Sequence, residues 1–294
     1  MRFIKRYAPL IFRLILRAAV IFAVVTAIYL GRRPLRTDLF VGNIHPGVSY
    51  RRGIVNRPDR IVYHLIEVDL TTPGLSFTST DPVTEIEYAA QTVEEFAAEN
   101  DTEVAINGNF FYPFHSEAPW DFYPHRGDLV ELSGIAINDG VRYSSPRHDW
   151  PALCISSEPR AEISSSGRCP AGTQTALAGN IQTVKDGRMV ELPDEKVYTR
   201  NVIGVNETGD RLWILIVDGK QPFYSAGATF FFCAQLLKEA GATDVLNLDG
   251  GGSTTLVIKQ DGEQQVFNAP YHTRVVMRQR PVANHLGIQI EKME

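Results

Sequence analysis

The sequence predicts an α+β domain, built on a mixed, largely antiparallel β-sheet with a few flanking helices and preceded by an N-terminal transmembrane helix. Three observations predict this class. Short apolar runs separated by turn residues fill most of the chain, two stretches have helical apolar spacing with capping residues, and the first thirty residues form one apolar segment with basic flanks. With 294 residues and 44% hydrophobic content, the chain can bury a full core.

The N-terminal segment is predicted to be a membrane anchor. Residues 14–30 (LILRAAVIFAVVTAIYL) contain a single charge, at Arg17. The basic residues before and within this span are Arg2, Lys5, Arg6, Arg13 and Arg17, and those after it are Arg32, Arg33 and Arg36. The excess of basic residues before and within the span, compared with those after it, favours a cytoplasmic N-terminus and an extracytoplasmic main domain, periplasmic or at the cell surface. No small-residue cleavage pattern precedes Gly31, so we expect an uncleaved anchor; a buried helix of a soluble protein is the alternative.

The chain divides into three predicted parts: the anchor at residues 1–30, a linker at 31–58, and the main domain at 59–294. The linker is predicted because residues 31–58 carry many arginines, glycines and prolines without sustained periodicity. The formal net charge of −5 gives the chain no overall basic field. We therefore expect no nucleic-acid partner.

The cysteines point to an oxidising compartment. Cys154 and Cys169 bracket a polar stretch that reads as a loop, and a disulfide between them would restrain it. Two unpaired thiols are the alternative. Cys233 lies in an apolar helical run and is predicted to be a core residue.

The domain is predicted to open with a strand at residues 61–70 (IVYHLIEVDL). Thr92 and Glu95 then have the spacing of a capping box, which predicts a helix that buries Val93, Phe96 and Ala97 and ends by Asn100. The run from Glu103 to Asn107 turns β-like and meets Gly108. The order is helix, strand and polar turn.

The same order recurs later in the chain. A helix is predicted from Thr229, with Gly241 as a left-handed C-cap, and the strand that starts at Asp244 leads into Asp249. Both segments place a polar side chain and glycine at the carboxyl end of an apolar strand, where open α/β sheets gather ligands. Chance similarity of two ordinary α/β units explains the echo equally well. Between them, runs such as GIAI, VIGV and RLWILIV with turn residues after them predict hairpins.

The most specific local signal is NLDGGGSTT at residues 247–255. Three consecutive glycines remove every β-carbon between Asp249 and Ser253, so the backbone amides can approach an anionic oxygen while Asp249 supplies a carboxylate. A wide hairpin turn is the alternative. Asn107 and Gly108 are the second candidate for a binding site. An ordinary turn that ends a strand is the alternative.

Three charged residues near strand ends are further candidates. Arg200 and Arg280 precede apolar runs, and a guanidinium presents a fork that matches phosphate oxygens. Asp218 follows the apolar run LWILIV, where a buried carboxylate needs a partner, and it is a natural mate for Asp249.

A metal site is a weaker hypothesis. His115, Asp121 and His125 lie in one loop but lack any compact ligand spacing. A divalent metal is therefore unsupported, and we identify no cofactor from the sequence.

Several motifs occur together in an order that resembles the phosphodiester glycosidase family. They are AINGNFF, SGIAINDG, ALAGNIQTVKDGR, TRNVIGV, ILIVDGK, NLDGGGSTTLV and RPVANHLGI, over roughly residues 60 to 290. The family includes N-acetylglucosamine-1-phosphodiester alpha-N-acetylglucosaminidase and bacterial members linked to exopolysaccharide biosynthesis. Asn109 stands where the family usually has glycine, and Asn201 where it commonly has threonine.

The resemblance implies a hydrolase that cleaves a sugar-1-phosphodiester in a cell-envelope or exopolysaccharide glycan, and the predicted N-terminal anchor would tether it to the membrane. Asp249 would then act as nucleophile or base and Asp218 as a second base or orienter, while Arg200 and Arg280 would offset the phosphate charge. The predicted sugar-binding residues are Asn107, Gly108, Gly250, Gly251, Gly252, Ser253 and Thr254. A non-catalytic membrane-tethered glycan-binding module is the alternative, and a phosphodiesterase for non-sugar esters, which would require a metal, is a third.

Overall fold

The computed structural model describes residues 2–31, 41–158, 160–192 and 196–291. The chain forms two compact units, Met1–Thr37 and Asp38–Glu294. The first contains helix α1 (Arg2–Gly31). Within it, Leu10–Ile28 has a mean hydropathy of 2.3, which makes the helix long and apolar enough to cross a membrane. Arg32, Arg33 and Arg36 of the predicted basic flank lie outside the described residues.

The second unit contains two helices, α2 (Val93–Glu99) and α3 (Phe230–Ala240), and many short strands. The strands of its first half are β1 Val41–His45, β2 Val48–Val55, β3 Ile61–Asp69, β4 Leu75–Ser79, β5 Glu87–Ala89, β6 Val104–Asn107, β7 Phe111–Tyr112, β8 His115–Ala118, β9 Asp121–Tyr123, β10 Leu129–Leu132, β11 Ala136–Asn138, β12 Val141–Ser144 and β13 Ala152–Ser156. Those of its second half are β14 Ala161–Ser164, β15 Thr173–Ala178, β16 Ile181–Lys185, β17 Arg188–Met189, β18 Arg200–Val205, β19 Arg211–Val217, β20 Asp244–Asn247, β21 Leu256–Gln260, β22 Glu263–Val266, β23 Tyr271–His272, β24 Val275–Val276 and β25 His285–Ile290.

The predicted α+β class is confirmed, with antiparallel pairing between all neighbouring strands described. The largest sheet has eight strands in the order β1-β2-β3-β19-β18-β20-β16-β17. A five-stranded sheet has the order β22-β21-β6-β25-β4, and a second has the order β12-β11-β15-β13-β14. The main core joins the first two sheets: Ile66, Ile214 and Leu246 pack in one cluster with Ile106 and Leu256.

The linker predicted over residues 31–58 is wrong for residues 41–55. These form β1 and β2, and β2 pairs with β3 from Val48↔Val68 to Val55↔Ile61. Val48 and Tyr50 are buried on its inner face, but Arg51 and Arg52 interrupt the apolar alternation that marks a strand in sequence. The folded unit therefore begins well before residue 59.

Both predicted helix starts are confirmed. The Thr92 hydroxyl accepts from the Glu95 amide at 3.3 Å, and the Glu95 carboxylate accepts from the Thr92 amide at 2.9 Å. The Thr229 hydroxyl likewise accepts from the Phe232 amide at 3.1 Å. Helix α3 ends at Gly241 in the left-handed conformation, with φ of 114°.

The cysteine predictions hold as well. Cys154, on β13 of the second five-stranded sheet, and Cys169 form a disulfide that closes a segment of 15 residues. Cys233 is buried in the core between α3 and the largest sheet, beside Leu237 and Trp213.

Candidate active site

The ends of two strands from different sheets meet at one point. Strand β6 ends at Asn107, whose side-chain amide donates to the Asp249 carbonyl at 2.8 Å. The Asp249 amide donates back to the Gly108 carbonyl at 3.3 Å. The segment after β20 then crosses to β21 in the five-stranded sheet, so it is not the hairpin turn considered as an alternative. The two segments that share the order helix, strand and polar turn therefore meet at their polar ends. They do so on antiparallel sheets rather than on an open α/β sheet.

The glycine run forms a short 3-10 turn, Gly251–Ser253, with little room for side chains. Gly251 has φ of +65°, a conformation that disfavours residues with a β-carbon. A β-carbon at position 252 would lie 2.5 Å from Nη2 of Arg280. The glycines therefore let the backbone lie directly against this guanidinium.

Arg280 is held in place by protein contacts on two sides. Its Nη1 donates to the Ser253 hydroxyl at 3.0 Å, and its Nε donates to Nδ1 of His272 at 3.2 Å. Burial, together with the positive charge of Arg280, lowers the pKa of His272 to about 3, so this imidazole is neutral. The ring of Phe114 lies 4.3 Å from the guanidinium carbon. His272 was not singled out from the sequence, because nothing around it forms a motif.

Asp249 is 8% exposed, and the pKa of its carboxyl is raised. Burial raises the pKa of its carboxyl to about 6, although the positive charge of Arg280 and hydrogen bonds from Ser253 and the Gly250 amide act in the opposite direction. A carboxyl with this pKa is mostly ionised at neutral pH and retains more basicity than an ordinary aspartate. It can act as a nucleophile or a general base.

Asp249, Arg280, Phe114 and the three glycines line a cleft of about 300 Å³. One part of its wall is aromatic and the other is polar or cationic. The lining residues are Phe110, Phe111, Phe114, Asn180, Tyr198, Thr199, Arg200, Asn247, Asp249, Gly250, Gly251, Gly252 and Arg280. Among them, Asp249 is the one carboxylate.

One further cation, Arg200, lies in the cleft wall, and another, Lys220, contacts an aromatic residue of that wall. Nε of Arg200 donates to the Ala228 carbonyl at 3.0 Å and its Nη2 to the Lys196 carbonyl at 2.7 Å, so these bonds fix the guanidinium in the wall. The ammonium of Lys220 lies 3.6 Å from the centre of the Tyr198 ring, which lines the cleft. Lys220 and Tyr198 were missed from the sequence, because a contact between distant loops leaves no local pattern.

Asp218 is not brought together with Asp249 in the cleft. It is fully buried and accepts from the Ala269 amide at 2.8 Å and the Tyr224 hydroxyl at 3.0 Å, and it lies 3.2 Å from Nε2 of His64. Burial alone would raise the pKa of Asp218, but the hydrogen bonds and the His64 charge outweigh it, and the pKa is lowered. The predicted mate of Asp249 therefore belongs to a separate buried network.

That network reaches the glycine loop through one residue. The Asn268 side-chain amide donates both to Asp218 at 3.2 Å and to the Thr254 carbonyl at 3.0 Å. Asp218 therefore supports the loop from behind.

The other predicted sugar-binding residues also lie behind the cleft. The Asn107 side chain is 1% exposed, and its oxygen accepts from the Thr255 amide at 3.2 Å. Gly108 donates its amide to the Asn284 carbonyl, and Ser253 and Thr254 have no exposed surface. Of the predicted site residues, the structure places Asp249, Arg200, Arg280 and the three glycines on the cleft surface.

The two residues that depart from the family pattern are both hydrogen-bonded in the structure. Asn109 donates to the Ile135 carbonyl at 3.0 Å and accepts from the Ala178 amide at 3.2 Å, so its amide ties the five-stranded sheets together. Asn201 donates to the Asn107 carbonyl at 2.8 Å.

The candidate metal ligands form exposed pairs. His115 lies 3.2 Å from Asp121, and His125 lies 3.4 Å from Asp128. Throughout the described part of the chain, no three His, Cys, Asp or Glu side chains cluster in a way that could hold a metal ion.

Comparisons with known proteins agree with this architecture. The family model described as phosphodiester glycosidase matches residues 100–289. The structure is similar to the catalytic domain of zebrafish N-acetylglucosamine-1-phosphodiester alpha-N-acetylglucosaminidase, auto-inhibited by its pro-peptide, with a TM-score of 0.63 and 17% identity over 89% of this chain and 92% of that one.

Two further solved structures share the fold. A hypothetical protein from Synechocystis has a TM-score of 0.66 and 14% identity over 88% of this chain, which spans 64% of that protein. A putative exported protein from Burkholderia pseudomallei K96243 has a TM-score of 0.57 and 13% identity over 78% of this chain and 74% of that one. No curated protein matches the chain by sequence.

Proposed function

Because this chain belongs to the phosphodiester glycosidase family, we propose that it is a hydrolase that cleaves the C1–O bond of a sugar-1-phosphodiester in a cell-envelope or exopolysaccharide glycan. The observation that carries the proposal is the charge distribution in the cleft. The carboxyl of Asp249, whose pKa is raised, lines a cleft whose other charged lining groups are Arg200 and Arg280. Lys220 lies beside Tyr198, another lining residue. Such a surface attracts a phosphodiester anion.

The reaction follows from these groups. When the C1–O bond breaks, its electron pair leaves with the phosphate oxygen, and positive charge develops at C1 as in other glycosidases. The ionised carboxylate of Asp249 stabilises that charge and acts as nucleophile or as base toward water. Water supplies the hydroxyl that ends on C1, and its proton passes to the base or to solvent.

The cations act on the other half of the substrate. The leaving phosphate gains negative charge as the bond breaks, and Arg280 and Lys220 offset that charge. A phosphate is a good leaving group and needs little protonation, so one carboxyl in the cleft suffices. Arg280 lies directly against Gly252, which brings its charge close to Asp249.

The cellular placement is part of the proposal. We propose that α1 anchors the chain as a single pass, with the N-terminus cytoplasmic and the main domain extracytoplasmic. The apolar span Leu10–Ile28 and the Cys154–Cys169 disulfide, a bond typical of exported proteins, support this topology. Protease added outside intact spheroplasts should then digest the main domain; full protection would contradict the topology.

The decisive experiment measures sugar release by the full-length protein in detergent. It is offered a panel of sugar-1-phosphodiesters, including UDP-N-acetylglucosamine, as the natural sequence, as Asp249→Asn, and as the matched control Asp261→Asn in an exposed turn. Release by the natural sequence and the control but not by Asp249→Asn supports the proposal. Binding of the diesters without release by any variant would instead identify a glycan-binding module.

A further inference from the structure

The hairpin of β8 and β9 carries a large apolar side chain at its tip. These strands pair only with each other in the described structure, and Trp120, in the turn between them, is 83% exposed. An isolated two-stranded hairpin is marginally stable in water. Its position must therefore be fixed by contacts with the rest of the domain.

Those contacts come from the segment that leads to Arg280. Nη1 of Arg278 donates to the Pro119 carbonyl at 2.7 Å, immediately before Trp120. The Arg278 guanidinium also lies 5.1 Å from the ring of Phe122, and that ring meets His272 edge-on at 4.9 Å. The tip is therefore held against the same residues that position the cleft.

The base of the hairpin opens into the cleft. Phe114, which precedes β8, lines the cleft, is 47% exposed and lies over Arg280. Strand β8 then extends for four residues, about 13 Å at the rise of a β-strand, before the turn with Trp120. This distance exceeds the length of one sugar ring.

From this arrangement we propose that Trp120 is a stacking platform for a sugar ring in a glycan chain that extends out of the cleft along the hairpin. The substrate is then a neutral oligosaccharide or polysaccharide chain joined through its phosphodiester, rather than a small sugar nucleotide. An indole offers a large rigid apolar face that suits the C–H face of a pyranose. The same hairpin carries the exposed carboxylates of Glu117 and Asp121, the latter 3.2 Å from His115, and these can accept hydrogen bonds from sugar hydroxyls.

A membrane surface is the other occupant to weigh. An anionic bilayer attracts an excess of lysine and arginine, whereas the hairpin has the carboxylates of Glu117 and Asp121 beside the cation Arg278 and so carries no such excess. Charge therefore favours a neutral glycan over an anionic bilayer.

Trp120 itself reports on binding. The other two tryptophans are Trp213, which is 3% exposed, and Trp150, which is partly buried, so Trp120 is the one that a surface ligand covers. The full-length protein, in a detergent without a sugar headgroup, is titrated with cellohexaose, maltohexaose and chitohexaose. We expect a blue shift of the emission with at least one hexasaccharide, its loss in Trp120→Phe, and its retention in the control Phe223→Ala, which alters an aromatic residue on another loop that is 96% exposed.

A constant spectrum with all three hexasaccharides, or an equal shift in Trp120→Phe, would overturn the proposal. A shift with anionic phospholipid vesicles but with no hexasaccharide would also overturn it, in favour of membrane contact.

The proposal rests on the hydrolase function for the reacting end, but the binding measurement needs no turnover. With a diester carried on a long neutral glycan, Trp120→Ala should lower kcat/KM roughly fivefold, while a monosaccharide diester is cleaved as before. Cleavage of both diesters without Trp120-dependent binding would contradict the stacking platform but not the hydrolase function. Trp120-dependent binding without cleavage of either diester would contradict the hydrolase function but not the stacking platform.

Discussion

The side-chain amide of Asn107 donates to the backbone carbonyl of Asp249 at 2.8 Å, and this bond joins the ends of two strands from different sheets. Asn201, on a third strand, donates to the Asn107 carbonyl at 2.8 Å. The position of Asp249 is therefore set by the packing of both sheets on their shared core. A carboxyl fixed in this way needs no rearrangement during a reaction, which is the main advantage of a preorganised site.

The first prediction concerns the pH dependence of the reaction. If Asp249 acts as nucleophile or base, it must be ionised, so kcat/KM should rise with pH through an inflection near 6, where the pKa of its carboxyl lies. Arg280→Gln should move the inflection to higher pH, because the positive charge of Arg280 lowers that pKa. Rates from pH 4.5 to 8.5 test this, with Lys238→Gln on the exposed face of α3 as control. An inflection near pH 4 would contradict the role of Asp249.

The second prediction concerns stability. The folded pKa of Asp249, about 6, lies above its ordinary value of 3.8. The folded state therefore holds this proton more tightly, and the stability that Asp249 contributes is full below pH 3.8 and is lost as the pH rises through 6. Two pKa units correspond to about 3 kcal/mol. Asp249→Asn, which does not titrate, should melt above the natural protein at pH 8 by a margin that shrinks toward pH 4. A margin independent of pH would contradict the shifted pKa.

The third prediction tests the cation beside Tyr198. Lys220→Gln should weaken competitive inhibition by inorganic phosphate roughly tenfold, because one charge-assisted contact to the anion is lost. Lys220→Arg should retain most of the inhibition, and Lys238→Gln, whose side chain is exposed in the last turn of α3, should leave it unchanged. Inhibition constants measured at low ionic strength provide the test. Equal values for Lys220→Gln and the natural protein would place the phosphate elsewhere.

The fold was predictable where local chemistry determines it. The Thr92 capping box, the Gly241 C-cap and the apolar runs of the later strands each depend on neighbours in sequence. Strand β2 was missed because Arg51 and Arg52 break the apolar alternation, and its pairing with β3 decides the structure there.

The site was predictable only in part, for a related reason. The glycine run and Asp249 form a compact motif, and Arg200 and Arg280 belong to motifs of the family. Lys220 and His272 contact the cleft residues Tyr198 and Arg280 through tertiary packing, which no spacing in the sequence reveals. Asp218 follows an apolar strand just as Asp249 does, but its strand, β19, ends next to His64 on β3. Sequence shows the type of residue at a strand end but not the neighbours it meets.

The fourth prediction concerns the disulfide. Replacing Cys154 and Cys169 together by serine should lower the free energy of unfolding by about 3 kcal/mol, since the bond closes a segment of 15 residues in the unfolded chain. The pair lies outside the cleft lining, so kcat/KM at 25 °C should be unchanged. Denaturant unfolding and an activity assay on the same preparation test both parts. A loss of activity in fully folded protein would contradict the assignment of the site.

The last prediction separates the two aspartates. Asp218→Ala leaves His64, Tyr224 and the Ala269 amide without their buried acceptor, so it should cost about 3–5 kcal/mol of stability. The pKa of Asp218 is lowered in the folded state, so its contribution is present above the ordinary value of 3.8 and is lost as the pH falls through the lower folded value. Asp218→Asn keeps the shape and should lower kcat through the Asn268 contact to the Thr254 carbonyl while the inflection near pH 6 stays in place. If Asp218 were instead the base, Asp218→Asn would remove that inflection from the pH profile while leaving Asp249 intact.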